Sequence, residues 1–232
     1  MSGSCILTFA GHMIDRQDRV SPRFPAYAED AVRVSIAESI AQTEPSAVVC
    51  SAACGGDIIF AEEALRFGAQ LYLIMPFESQ IDFLYHSVAY AGSQWVERFH
   101  YIFSRATQRP YYVRPNGYTS DQNFEDNQRA MTFFALGLAA AQSASLSSLV
   151  LCDPDQLGHQ IGGTGSFLQL CHDSLIPYSI IDIARLRSRE GSEPQATSRH
   201  ACTLSLCSPQ ALKVSHNAVT YSNASFSNTS LF

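Results

Sequence analysis

The residues best suited to chemistry fall in three places. From Ala47 to Asp57 the sequence AVVCSAACGGD runs from an apolar, β-branched stretch through Ser51, Ala52, Ala53, Cys54, Gly55 and Gly56 to Asp57, at the head of the amphipathic run IIFAEEALRF. That order predicts a strand, a tight small-residue turn and a helix N-terminus. Backbone N–H groups in such a turn are unscreened by side chains and the helix dipole favours negative charge, so a nucleotide phosphate or ribose is the natural guest. The same small residues would equally allow close packing of helix on strand. Asp57 itself has two readings, helix N-cap or acceptor for a ribose hydroxyl.

A second glycine turn, Ile161-Gly162-Gly163-Thr164-Gly165-Ser166-Phe167, follows the apolar run Leu149 to Cys152 and the polar loop that Asp153 opens. Two such turns at helix starts point to a phosphate-bearing ligand more strongly than either alone. The third place is the loop Gly11, His12, Met13, Ile14, Asp15, Arg16 after the strand CILTFA. It continues into a long polar, proline-bearing segment, and long ordered loops in compact domains are often functional. His12 is a candidate acid or base there.

The elements that must position these groups alternate. Strands are expected at 5–10, 47–50, 71–77, 149–152 and 178–183. Helices are expected at 29–42, 57–67, 81–106 with a break near Gly92, 124–144 and from the second glycine turn to about Leu175. Phe133, Leu136 and Leu138 are apolar positions of the long fourth helix, and Trp95 is expected in the core. The 107–123 stretch is turn-rich and reads as a connection. This βα alternation implies a mostly parallel sheet of about five strands with helices on both faces, an α/β Rossmann-like three-layer domain. In such a sheet ligands sit outside the carboxyl ends of the strands. The loops 11–16 and 51–57 both emerge there and can lie side by side, and Pro76 ends the third strand at the same edge. The domain is expected to span residues 1–184. From Arg185 the composition turns rich in Ser and Asn without a period, which predicts a loosely attached or disordered tail, apart from a short strand near 201–206.

The 232 residues suit one substantial domain, and a net charge of -6 with scattered basic residues argues against general nucleic-acid binding. No apolar run is long enough to span a bilayer and no basic lead-in precedes the first apolar segment, so a cytoplasmic location without membrane association is expected. The seven cysteines form no CxxC pair and no metal-like cluster, which predicts free thiols and no bound metal.

The turn SAACGGD and the late turn GGTGSF, in this strand order, resemble the SLOG superfamily. This Rossmann-like group includes the LOG cytokinin-activating phosphoribohydrolases and the DNA-processing proteins of bacterial transformation. It also includes related domains of prokaryotic signalling and defence proteins whose ligands are nucleotides or NAD-derived molecules. The resemblance covers residues 5 to 184. In LOG enzymes the late motif is PGGxGTxxE, so the resemblance implies phosphate binding by Gly162, Gly163, Thr164, Gly165 and Ser166. Gln169 stands where the motif has its catalytic Glu, and an amide cannot do a carboxylate's work.

Three functions follow. The first is a sensor or regulatory domain that binds a nucleoside monophosphate, ADP-ribose or NAD-like signal through Gly11, Met13, Ser51 to Asp57, Pro76, Asp153 and Gly162 to Ser166, with no resident cofactor. The second is a nucleotide or NAD N-glycosidase in which Glu62 or Asp15 replaces the missing acid, with His12 as acid or base. The third is an oligomeric assembly or partner-binding unit without a ligand, and the tail from Arg185 is a candidate connection to an effector domain.

Overall fold

Apolar residues run almost without interruption along the predicted strands, as they must in a sheet covered on both faces. The computed structural model describes residues 4–77, 79–108, 110–112, 120–157 and 162–190. Its elements are β1 (Cys5–Gly11), α1 (Glu29–Thr43), β2 (Ala47–Cys50), α2 (Gly56–Phe67), β3 (Gln70–Met75), α3 (Gln80–Ser87), α4 (Ser93–Arg105), β4 (Tyr111–Tyr112), α5 (Ser120–Gln142), β5 (Ser145–Cys152), α6 (Thr164–Asp173), β6 (Tyr178–Asp182) and α7 (Ile183–Glu190). The strands form one all-parallel, six-stranded sheet in the order β4-β3-β2-β1-β5-β6. Five of the six are the predicted ones. The two-residue β4 lies in the stretch read as a connection, too short to leave a pattern.

Side chains alternate across the sheet and build two cores. Leu7, Phe9, Val48, Cys50, Leu71, Leu73 and Leu151 face α1, α2 and α4, with Phe9 stacked on Phe60. Ile6, Val49, Tyr72, Ile74, Val150 and Cys152 face α5 and α6. The chain winds outward from β1 through β2 and β3, then crosses back along α5 to β5 on the other side of β1. Strand order therefore reverses between β1 and β5, which opens a crevice at their carboxyl ends.

Several expectations need correction. On α5 the buried apolar positions are Met131, Ala135 and Ala139, whereas Phe133 is 72% and Leu136 39% exposed. Of the apolar positions named, Leu138 packs against the second core while Phe133 and Leu136 face outward, and the inward face also carries the polar Asn123, Asn127 and Thr132. The chain does not loosen at Arg185: α7 runs to Glu190, with Leu186 buried against the first core. The strand expected near 201–206 lies outside the described residues. All five described cysteines are free and buried, and Cys202 and Cys207 lie outside the described residues.

Charge as well as apolar contact joins the helices on the first face. Arg98 of α4 grips both oxygens of Glu62 at 2.7 and 2.9 Å and reaches Glu29 of α1 at 2.8 Å. Arg33 of α1 bonds Glu62 at 2.9 Å and Glu63 at 2.7 Å. Arg98 also stacks on Trp95, 3.9 Å from the ring centre. Removing Arg98 takes away the partner of Glu62 Oε1, which is shielded from water, and leaves Arg33 on Oε2 alone. Replacing Arg98 with Met should therefore lower unfolding stability by about 3 kcal/mol in urea titration; an unchanged midpoint would mean that the network adds no stability.

Candidate functional site

The site is built by two loops that meet backbone to backbone. After Gly11 the His12 N–H donates to the Leu151 carbonyl at 3.2 Å, holding the loop to the end of β5. Met13 then pairs antiparallel with Gly55. The Ile14 N–H donates to the Cys54 carbonyl, and the Gly56 N–H donates to the His12 carbonyl, both at 3.0 Å. Gly55 has φ +106°, and a Cβ there would lie 2.5 Å from the Ile14 nitrogen. Only glycine allows this approach.

The contact changes the role expected of the 51–57 turn. Its N–H groups are largely spent inside the protein: Gly56 on His12, Cys54 on Ser87, and Ala53 on the Asp57 carboxylate. Asp57 is not the N-cap; Gly55 is, and Asp57 is the second residue of α2. The start of α2 is thus plugged by the first loop and by a carboxyl group, and is poorly suited to a phosphate. The start of α6 is different. Thr164, Gly165 and Ser166 open the helix, their N–H groups have no intrahelical acceptor, and no partner holds them among the described residues. The Gln128 side chain of α5 steadies the preceding turn, donating to the Gly162 carbonyl at 3.0 Å and the Gly163 carbonyl at 3.2 Å. Gly162 has φ +74°, and a Cβ there would collide with the Asp121 carbonyl.

Between these loops lies a cleft of about 320 Å³. Its floor is the end of β1, with Phe9, Ala10 and Gly11. One wall is His12, Met13, Ser51, Ala53 and Asp57. The opposite wall is the α6 turn from Gly162 to Gly165 and the α5 face of Phe124, Asn127, Gln128 and Met131, while Arg16, Arg19, Arg23 and Tyr90 complete the rim. The loop bearing the arginines is ordered by Asp15, which accepts the Arg23 N–H at 2.8 Å and lies 3.4 Å from Arg19. Arg16 stacks on Tyr90, 4.1 Å from the ring centre, and the Tyr90 hydroxyl donates to the Ile14 carbonyl. Arg23 makes no ion pair among the described residues.

His12 connects the walls. Its Nε2 accepts the Asp153 N–H at 3.3 Å, which puts the ring proton on Nδ1, 3.5 Å from the Thr164 hydroxyl. Burial, reinforced by Arg23, pushes its pKa down to about 4. A neutral ring engaged at both nitrogens holds the glycine turn in place and is a poor acid or base. Asp57 has the opposite character. It lines the cleft, is 7% exposed, and burial raises its pKa to about 7 despite hydrogen bonds from the Ala53 and Gly11 N–H groups.

The structure brings Gly11, His12, Met13, Ser51, Ala53, Asp57, Gly162, Gly163, Thr164 and Gly165 to the cleft. It leaves others away from it. Ala52, Cys54, Gly55 and Gly56 form the buried back of the turn, and burial pushes the Cys54 thiol up to about 11, away from thiolate chemistry. Pro76 and Ser166 do not line the cleft. Glu62 of α2 is committed to Arg98 of α4 and Arg33 of α1. Asp15 organises its own loop. Asp153 is 2% exposed and accepts from Gln156 at 2.8 Å and from Arg187 of α7 at 2.7 Å. Gln169, which stands where the LOG motif has its Glu, is exposed and donates to Asp173. Sequence reasoning missed the three arginines, although they sit in a loop it singled out. It also missed Phe124, Asn127, Gln128 and Met131, whose i, i+3, i+4, i+7 spacing is visible in the sequence. Among the described residues there is no group of three metal-ligating side chains, and no helix is long and apolar enough to cross a membrane.

No family model and no curated protein matches this chain.

The raised Asp57 pKa has a testable sign. Between the unfolded carboxyl pKa, about 4, and about 7, the folded state holds a proton that the unfolded state has lost, so this group's contribution falls as pH rises and levels off above 7. The Asp57→Asn protein lacks that decline. Its melting temperature relative to the parent should rise by several degrees from pH 4 to pH 8; a constant difference would show that Asp57 ionises normally.

Proposed function

We propose that this chain binds a nucleotide-derived small molecule, a nucleoside monophosphate, ADP-ribose or an NAD-like signal, as a sensing or regulatory domain of the SLOG type. The observation that carries the reading is one cleft at the β1/β5 switch point whose rim holds both the open α6 glycine turn and three arginines. Free N–H groups at a helix start and planar guanidinium groups both favour phosphate oxygens. The apolar contacts that a base or sugar needs come from Phe124, Met131 and Met13. Sensing is favoured over turnover because Glu62 is tied to Arg98 and Arg33 away from the cleft, Asp15 is taken up by Arg19 and the Arg23 N–H, His12 is neutral with both nitrogens engaged, and Gln169 is exposed and bonded to Asp173.

One observation supports the second reading, an N-glycosidase. Asp57 lines the cleft with a pKa near neutrality, suited to protonating a departing base or, once ionised, to stabilising charge at the sugar.

The test is incubation of the full chain with AMP, CMP, NAD, ADP-ribose and cyclic dinucleotides, following melting temperature and, by chromatography, release of base or nicotinamide. The expected result is a rise in melting temperature with at least one ligand and no product. The Arg23→Ala change should weaken that ligand about tenfold while leaving the free protein's melting temperature nearly unchanged. Product release that Asp57→Asn abolishes would establish the glycosidase instead.

A further inference from the structure

Asn127 is 3% exposed, yet among the described residues its side-chain oxygen meets no donor. The oxygen of Gln128, the next residue of α5, is likewise buried without a donor among the described residues. Neither amide can turn to relieve this. Asn127 Nδ2 donates to the Ile74 carbonyl at 3.2 Å, and Gln128 Nε2 donates to the carbonyls of Gly162 and Gly163. Rotating either group would set oxygen against oxygen. A buried acceptor left unpaired costs free energy, and native structures rarely carry one without a reason. Both residues line the cleft. Each is therefore a wall residue whose amide is held in a fixed orientation, with its oxygen unpaired and shielded from solvent just behind the surface of the site.

We propose that Asn127 and Gln128 form a donor-reading subsite for the nucleotide, an inference that rests on the nucleotide reading above. Gln128 is tied to the glycine turn that would hold the phosphate, so its oxygen takes a hydroxyl of the sugar, the group bonded to that phosphate. Asn127 is tied to the end of β3, away from the turn, so its oxygen takes an exocyclic amino group of the base. Adenine and cytosine carry that amino group, whereas hypoxanthine and uracil present a carbonyl at the same position, which would oppose the Asn127 oxygen. The subsite thus selects amino bases through a repulsive contact as well as an attractive one.

Calorimetric titration of the full chain with AMP, IMP, CMP, UMP and 2′,3′-dideoxyAMP tests this. The unaltered protein should bind AMP about tenfold more tightly than IMP, CMP about tenfold more tightly than UMP, and AMP about tenfold more tightly than its dideoxy form. Asn127→Leu should bring the AMP to IMP ratio close to one, and Gln128→Met should do the same to the AMP to dideoxyAMP ratio. Loss of the structural bonds to Ile74, Gly162 and Gly163 would weaken both members of each pair equally and leave the ratios unchanged. Equal binding of AMP and IMP by the unaltered protein overturns the inference whether or not the variants fold. Ratios that survive the substitutions also overturn it, and in both cases the nucleotide reading stands. If none of the five nucleotides binds, this inference is overturned, while the nucleotide reading is decided by the wider ligand set above, ADP-ribose and NAD included.

Discussion

The approach of the 12–14 backbone onto Gly55 is the contact on which the rest of the site depends. It requires a residue without a Cβ in a left-handed conformation, and it fixes three things together. The first turn of α2 is sealed by the His12 carbonyl. The His12 ring is aimed across the carboxyl end of β5, where it reaches Asp153 and Thr164. The chain that leaves Ile14 is launched over the crevice, and Asp15 folds it back so that its arginines stand on the rim. A side chain at position 55 would push the loop away and dismantle all three arrangements.

Charge in the crevice is divided by the same geometry. The rim is cationic, with Arg16, Arg19 and Arg23 on one loop, and the α6 turn adds the positive end of a helix dipole. Asp57, the carboxyl group that lines the cleft, lies at the sealed α2 start, where burial favours its neutral form. Asp153, close by, is neutralised by Arg187, which also donates to the carbonyls of Pro22 and Arg23. The last described helix is therefore bonded both to the arginine loop and to the end of β5. An anion drawn to the rim meets two sources of positive potential, offset in part by Asp15 beside Arg19.

Much of this was legible in the sequence and some was not, for identifiable reasons. Strands buried on both faces leave continuous apolar runs, so β1, β2, β3, β5 and β6 could be read directly, and their alternation with helices implied the sheet. The two glycine turns and the 11–16 loop were visible because glycine and small residues punctuate the chain. Their different uses were not: that α2 is sealed and α6 open follows from which backbone groups the first loop consumes, and no residue type encodes that. Glu62 looked as available as any carboxylate because its partners Arg33 and Arg98 come from helices 29 and 36 positions away in sequence. Which face of α5 turns inward is not legible because that face becomes polar toward the cleft, and an amphipathic reading assumes that polar residues face water.

The central claim is that the anion site is the α6 glycine turn and not the α2 turn. Backbone amide NMR of the full chain during titration with AMP tests it residue by residue. The account predicts saturable movement of the Thr164, Gly165 and Ser166 amide signals, with the Ala53, Cys54 and Gly56 amides, whose protons are already donated within the protein, changing far less. Dominant changes at Ala53 to Gly56 with Thr164 to Ser166 unmoved would contradict it.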